Sequence, residues 1–331
     1  MRRLTWALVG AALLGSTGCL EHEETLTVHP DGSLEVSYVI HGDGEDLDQG
    51  AAAQPGGAPW AVERTTRAKQ DGKLEHVLRA RAEFARAAEL PACFGDPESA
   101  LTRSTELTVT PSAEGRVFRF SRAYGAREWA PYAFAERRAF PDEVKALVKQ
   151  LGEFASFTDE ERGLLVRALC AYEQAKVERW AEAALAVVAP GADPGRAALE
   201  VQEAIRGEIT ATVDPAFLAR LLADPQEIKE AAKGLEARVH RAAAAAAARA
   251  LELGPQREQA LREELARQRR VFEVSEDLGD EAFVVRLRLP GVVLRHNADE
   301  VQGDTLIWRF TGQDLRDRTH RLLATSLDAA K

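Results

Sequence analysis

Polar and apolar residues alternate with a period of two over the first third of the chain, recur with a period of 3.6 through the middle, and return to two at the end. The first alternating pair, residues 24–29 and 33–40, is joined by Pro30-Asp31-Gly32, a turn sequence that predicts a hairpin. A second hairpin is expected from 60–69 and 73–84 across Asp71-Gly72. A third runs from 101–110 to 116–124 across Pro111-Ser112-Ala113-Glu114-Gly115. Residues 87–98, which carry Cys93, read as a short helix or loop. The whole stretch predicts a meander of about six strands.

At about Glu128 the helical period takes over for roughly 140 residues. Thr158-Asp159-Glu160-Glu161 is a capping box, in which the threonine hydroxyl accepts from an amide three residues on and the glutamate reaches back. Asp193-Pro194, Asp214-Pro215 and Asp224-Pro225 each place a capping carboxylate before a proline at the first helical position, where a missing N–H costs nothing. With the breaks at Pro190-Gly191 and Gly254-Pro255, these signals predict helices near 142–153, 159–189, 194–209, 215–223, 225–253 and 256–270.

Within the fifth of these, positions 228, 232, 235, 239, 242, 246, 249 and 253 form a seam that is apolar except at Arg249 and crosses a seven-alanine run. Two readings fit the seam: a coiled coil with a partner, or packing within the chain against 256–270 through Leu261 and Leu265. The second is favoured because that neighbour comes next in sequence. Glu258 with Arg262 and Glu263 with Arg267 are spaced as pairs on the solvated side.

From Val271 the two-residue period predicts strands at 271–276, 283–289, 292–296 and 305–311, turned at Pro290-Gly291 and Gln302-Gly303-Asp304. A helix or last strand follows at 315–327. A few C-terminal strands would be marginal alone, so they are expected to pair with the N-terminal ones. The fold class is therefore α+β: an antiparallel sheet from N- and C-terminal hairpins (19–126 and 271–331) with an inserted all-helical lobe (127–270).

The residues before this fold are an address. Arg2 and Arg3, an uncharged run from Leu4 to Leu14, and small residues up to Gly18-Cys19 form the three regions of an export signal, predicted over 1–18. Its apolar run is too short for a spanning helix, which needs roughly 20 residues. Ser16-Thr17-Gly18-Cys19 resembles the bacterial lipoprotein signal, although Ser16 stands where a leucine is usual. The resemblance implies cleavage between Gly18 and Cys19, a diacylglycerol thioether on Cys19 with palmitate-type acyl chains, and attachment to the membrane of the cell envelope. Leu20 in place of an aspartate implies the outer membrane rather than the inner one. Ser16-Thr17-Gly18 also suits ordinary signal peptidase, which would release the chain into the medium.

Charge and cysteine content narrow the partners. Without Arg2 and Arg3, the 43 basic and 53 acidic residues become 41 and 53, a formal charge of −12. That sign argues against nucleic acid and leaves membrane affinity to the acyl anchor. Besides Cys19, only Cys93 and Cys170 remain, either as a disulfide permitted by an oxidising envelope or as two small buried hydrophobes.

No phosphate-binding loop, H-E-x-x-H zinc helix or G-x-S-x-G elbow occurs, and His22-Glu23-Glu24 lacks a second histidine. Gly42-Asp43-Gly44-Glu45-Asp46-Leu47-Asp48 is acidic but places Leu47 where a calcium ligand would fall, and it reads as a solvated loop. No catalytic residue, metal or cofactor is therefore predicted. Residues 25–33, with Pro290-Gly291-Val292, Asn297-Ala298 and 301–310, look like the LppM-type lipoproteins. That resemblance implies a β-rich ectodomain on a lipid anchor, associated with envelope lipid or glycolipid binding. The expectation is an anchored, non-catalytic protein that binds an envelope protein or apolar ligand between sheet and lobe. The alternative is a periplasmic or surface hydrolase whose residues meet only in the folded chain.

Overall fold

The computed structural model of the protein describes residues 20–42, 47, 54–68, 74–95, 100–223 and 225–330. These form two compact units, one taking the chain up to Glu128 and again from Val274 onward, the other Trp129–Glu273.

The first unit holds eleven strands among the described residues: β1 (Glu21–Val28), β2 (Leu34–Gly42), β3 (Ala61–Ala68), β4 (Leu74–Phe84), β5 (Arg103–Ser112), β6 (Gly115–Tyr124), β7 (Ala282–Arg288), β8 (Val292–His296), β9 (Glu300–Gln302), β10 (Thr305–Thr311) and β11 (His320–Ala329). Both chain ends contribute to both sheets, whose orders are β3-β4-β2-β1-β7-β10-β9 and β5-β6-β11-β8. Pairing is antiparallel except where β1 runs parallel to β7, from Glu21 opposite Ala282 to Thr27 opposite Arg288. Parallel neighbours need a long crossover, and every residue from β2 to the end of the helical insertion is available to supply it.

The expected single sheet is two, and the expected meander is broken. β4 lies beside β2 rather than outside β3, and β5-β6 leave for the second sheet. Period-two alternation says which face of a strand is buried but not which strand lies next to it. Both sheets bury one face into a shared core that includes Leu26, Val36, Leu78, Phe118, Phe120, Leu322 and Trp308. β3 is exposed along its whole length and ends the larger sheet with Glu63, Arg64 and Arg67, charges that discourage edge-to-edge pairing.

The second unit is helical: α1 (Ala130–Ala139), α2 (Asp142–Lys149), α3 (Asp159–Val188), α4 (Pro194–Thr210), α5 (Pro215–Ala223), α6 (Pro225–Ala250) and α7 (Pro255–Asp277). The caps act as their sequences predict. Thr158 Oγ1 accepts from Glu161 N at 3.2 Å while Thr158 N donates to the Glu161 carboxylate at 2.7 Å. Asp193 caps Gly195 N at 2.9 Å, and Asp214 caps Phe217 N at 2.6 Å. The Asp224 cap lies outside the described residues. α1 has no side-chain cap at Trp129, and Pro131 in its first turn marks its start.

Two helical expectations change. Residues 271–276 are not a strand but the end of α7, where Arg269 bonds Glu273 at 2.6 Å and Phe272 enters the helical core. The alanine run of α6 stays within the chain, yet its close partner is α4, which lies antiparallel to it. Arg196 at the start of α4 pairs with Glu252 at 3.3 Å, and Arg238 meets Glu208 at 3.5 Å and Thr212 at 2.9 Å. α4 buries Ala197, Val201, Ile205 and Ile209 in the same core. α7 also flanks α6 through the Arg269–Glu236 ion pair, with Leu261 and Leu265 buried. Alanine offers no bulk on any side, so a run of seven can be approached from more than one direction. Ala243, Ala244, Ala246, Ala247 and Ala248 are all buried, and Arg249 faces solvent.

Candidate functional site

The sheet unit carries charge in its interior. On β1, His22 and Glu24 share the face of Leu26 and Val28; on β6, Arg122 and Tyr124 share the face of Phe118 and Phe120. Register then assembles the cluster: Glu24 opposes Tyr38, Arg122 opposes Thr105, and Tyr124 opposes Arg103. One Glu24 oxygen accepts from Tyr38 Oη at 2.5 Å and Arg122 Nη2 at 2.6 Å, and the other accepts from Tyr124 Oη at 2.5 Å. Arg122 also donates to Tyr38 Oη at 2.9 Å, to Tyr124 Oη at 3.3 Å and to Thr105. Burial, reinforced by the Glu24 charge, pushes both phenols well above their ordinary range. Burial opposes the Arg122 charge, but Glu24 and the phenols outweigh it and hold the guanidinium firmly protonated. The cluster is thus a closed set of groups that satisfy one another.

Arg103 stands beside it and is held differently. Its guanidinium carbon lies 5.2 Å from the Phe94 ring centre, 5.8 Å from Tyr124 and 5.9 Å from Tyr38. Trp60, half-buried, joins this aromatic group at 5.5 Å from Tyr38, 5.7 Å from Phe94 and 5.6 Å from Phe84. A second buried pair, His22 and Glu281 at 2.7 Å, lies where His22 stacks on Phe283 at 4.8 Å. Stacking continues from Phe283 to Phe310 and on to His320, whose pKa burial lowers.

In the helical unit, Lys176 is buried beneath Tyr172, Trp180 and Phe272, with Nζ 5.1, 5.8 and 5.1 Å from their ring centres, and pairs with Glu173 at 3.1 Å. His240 packs edge-on to Trp180 at 5.6 Å, and burial, then Arg269 and Lys176, lowers its pKa to about 4. On the surface of the same unit, α1, α3 and α4 form a groove of about 430 Å³. It is lined by exposed Phe134 and by Ala171 and Ala175, and the amides of Gln174 and Gln202 donate to Glu178 at 2.7 and 3.4 Å.

Of the residues singled out in the sequence, Gly18 and Cys19 lie outside the described residues. So does the acidic loop at 43–46 and 48–53, while Leu47 is buried in the core of the sheet unit. Cys93 and Cys170 form no disulfide: both are free thiols, half-buried, in different units. Burial, with the Glu173 charge second, pushes the Cys170 thiol up to about 11, so it behaves as a small apolar group. Trp308 is a core residue whose Nε1 donates to Asn297 at 2.9 Å. Among the described residues no group of three or more His, Cys, Asp or Glu could hold a metal, and no helix is long and apolar enough to cross a membrane.

Fold and interior define an α+β protein whose two-sheet unit, built from both chain ends, contains a buried polar cluster. Comparison with protein-family models, characterised proteins and solved structures finds no match.

Proposed function

We propose that this chain is an exported protein of the cell envelope, anchored through a lipid on Cys19, that binds a partner protein or a lipid-like ligand rather than catalysing a reaction. What supports anchoring is the lipoprotein-like end of the export signal, Ser16-Thr17-Gly18-Cys19, and the link from it to the fold is short. Leu20 is buried in the core of the sheet unit, and β1 begins at Glu21. A membrane-held Cys19 would thus hold the sheet unit at the bilayer surface with no leash, where an envelope ligand is met directly. A binding role is favoured over hydrolysis by the closed chemistry of the two buried groups centred on Glu24 and Glu281. Glu24, Arg122, Tyr38 and Tyr124 spend their donors and acceptors on one another, as do His22 and Glu281.

The test is the mass of the N-terminal peptide of the native protein, with membrane and soluble fractions compared for the unaltered chain and Cys19→Ala. A diacylglycerol-modified Cys19 in the outer-membrane fraction, lost in the variant, supports the reading. An unmodified N-terminus in the soluble fraction overturns it in favour of a freely exported protein.

A further inference from the structure

One buried cation of the sheet unit has no carboxylate partner among the described residues. Glu24 answers Arg122, Glu281 answers His22, and Glu75 is engaged by Arg67. Arg103 is 9% exposed and pairs with no carboxylate among the described residues; its Nε is buried without an acceptor. The rings of Phe94, Tyr124 and Tyr38 do not replace an acceptor. A ring attracts the flat face of a guanidinium, whereas its five N–H bonds point outward in the plane and require oxygen. An unanswered charge in a core is costly, and an oxyanion is what a planar fork of donors suits best.

The surroundings indicate the rest of the ligand. Trp60 shares Tyr38 and Phe94 as neighbours with Arg103 and is only half-buried, so an aromatic side chain of the same group reaches solvent. We propose that Arg103 anchors a ligand site in the sheet unit that takes a carboxylate or phosphate carried on an aromatic or flat apolar body. The anion answers the guanidinium through paired charge-assisted hydrogen bonds, and the body lies against Trp60 and Phe94. The site does not depend on the anchor and stands whether or not Cys19 is acylated.

The experiment is calorimetric titration of the purified full chain with 3-phenylpropionate, phenyl phosphate and the neutral 3-phenylpropanol. One anion or both bind with one-to-one stoichiometry, and whichever binds identifies the head group. The alcohol binds at least about tenfold more weakly, as the loss of a charge-assisted bond requires. Arg103→Met weakens the anion by about tenfold or more, and Arg103→Lys retains part of the affinity, because it keeps the charge but loses the fork. The bound anion raises the Tm of the unaltered protein but not that of Arg103→Met. Failure of both anions to bind the unaltered chain overturns the proposal, as does equal affinity for the alcohol. Equal anion affinity in Arg103→Met overturns it too. Should that variant not fold, the comparison of anion with alcohol on the unaltered chain decides.

Discussion

Glu24 and Arg122 meet at 2.6 Å between the two sheets, with side chains 4% and 1% exposed. Neither ion is favourable in a core by itself, and together they break even only because Tyr38, Tyr124 and Thr105 complete their hydrogen bonds. Removing one partner strands the other. Glu24→Ala and Arg122→Met are each expected to cost about 3–5 kcal/mol, and Glu24→Leu with Arg122→Met less than the sum of its two single changes. Urea unfolding of these variants, with Glu24→Leu alone as the matching single change, measures this; additive costs would show that the ions are not coupled.

The helical unit should weaken in mild acid through His240. Its folded pKa, about 4, lies below the ordinary 6.5, so the native state disfavours the proton. Above 6.5 the imidazole is neutral in both states and contributes no pH dependence. As the pH falls from 6.5 to about 4 the unfolded chain takes up the proton first, so stability drops, by at most about 3 kcal/mol, and levels off below. Arg269 and Lys176 act on the ring in the same direction as burial and do not alter the sign. His240→Phe should remove this part of the acid sensitivity, read as the slope of unfolding free energy against pH between 4 and 6.5.

Close helix packing makes a different demand on α6. Ala244 and Ala246 are wholly buried, leaving no room for a larger side chain between α6 and its neighbours. Ala246→Leu should therefore destabilise the unit by about 1–3 kcal/mol despite leucine's good helix propensity. At exposed Arg249, replacement by leucine should change stability by less than about 0.5 kcal/mol. Thermal unfolding of the two variants separates packing from propensity.

Much of this architecture is legible in the residues, because caps and alternation are local. Thr158 with Glu161, and Asp193 or Asp214 before proline, mark helix starts by chemistry complete within four residues. The neighbour of β2 and the partner of α6 are settled by long-range packing, which neither period encodes. The polar cluster was partly legible. His22, Glu24, Leu26 and Val28 have one parity on β1, as do Phe118, Phe120, Arg122 and Tyr124 on β6, so an alternating strand already places charge on the apolar face. What alternation cannot say is that those two faces meet, or that Arg103, paired with Tyr124 in register, lies beside the same aromatic rings.

Glycine at position 312 is required by another backbone. A Cβ there would lie 1.5 Å from the Leu278 carbonyl oxygen, because the 3-10 turn Gly312–Leu315 is pressed against the turn Leu278–Asp280. Gly312 N also donates to the Glu281 carbonyl at 3.0 Å, and Glu281 holds His22. Gly312→Ala must move one turn or the other and should cost more than about 2 kcal/mol, with the His22–Glu281 pair disturbed. Gly303 provides the contrast. It has φ +62° in the β9–β10 turn but nothing within 4 Å of a Cβ, so Gly303→Ala pays only the left-handed backbone cost of about 1–2 kcal/mol. Urea unfolding ranks the two, and the chemical shifts of the His22 ring in Gly312→Ala report whether the strain reaches the buried pair. A Gly312→Ala chain as stable as the Gly303→Ala one would mean that the two turns can part without loss.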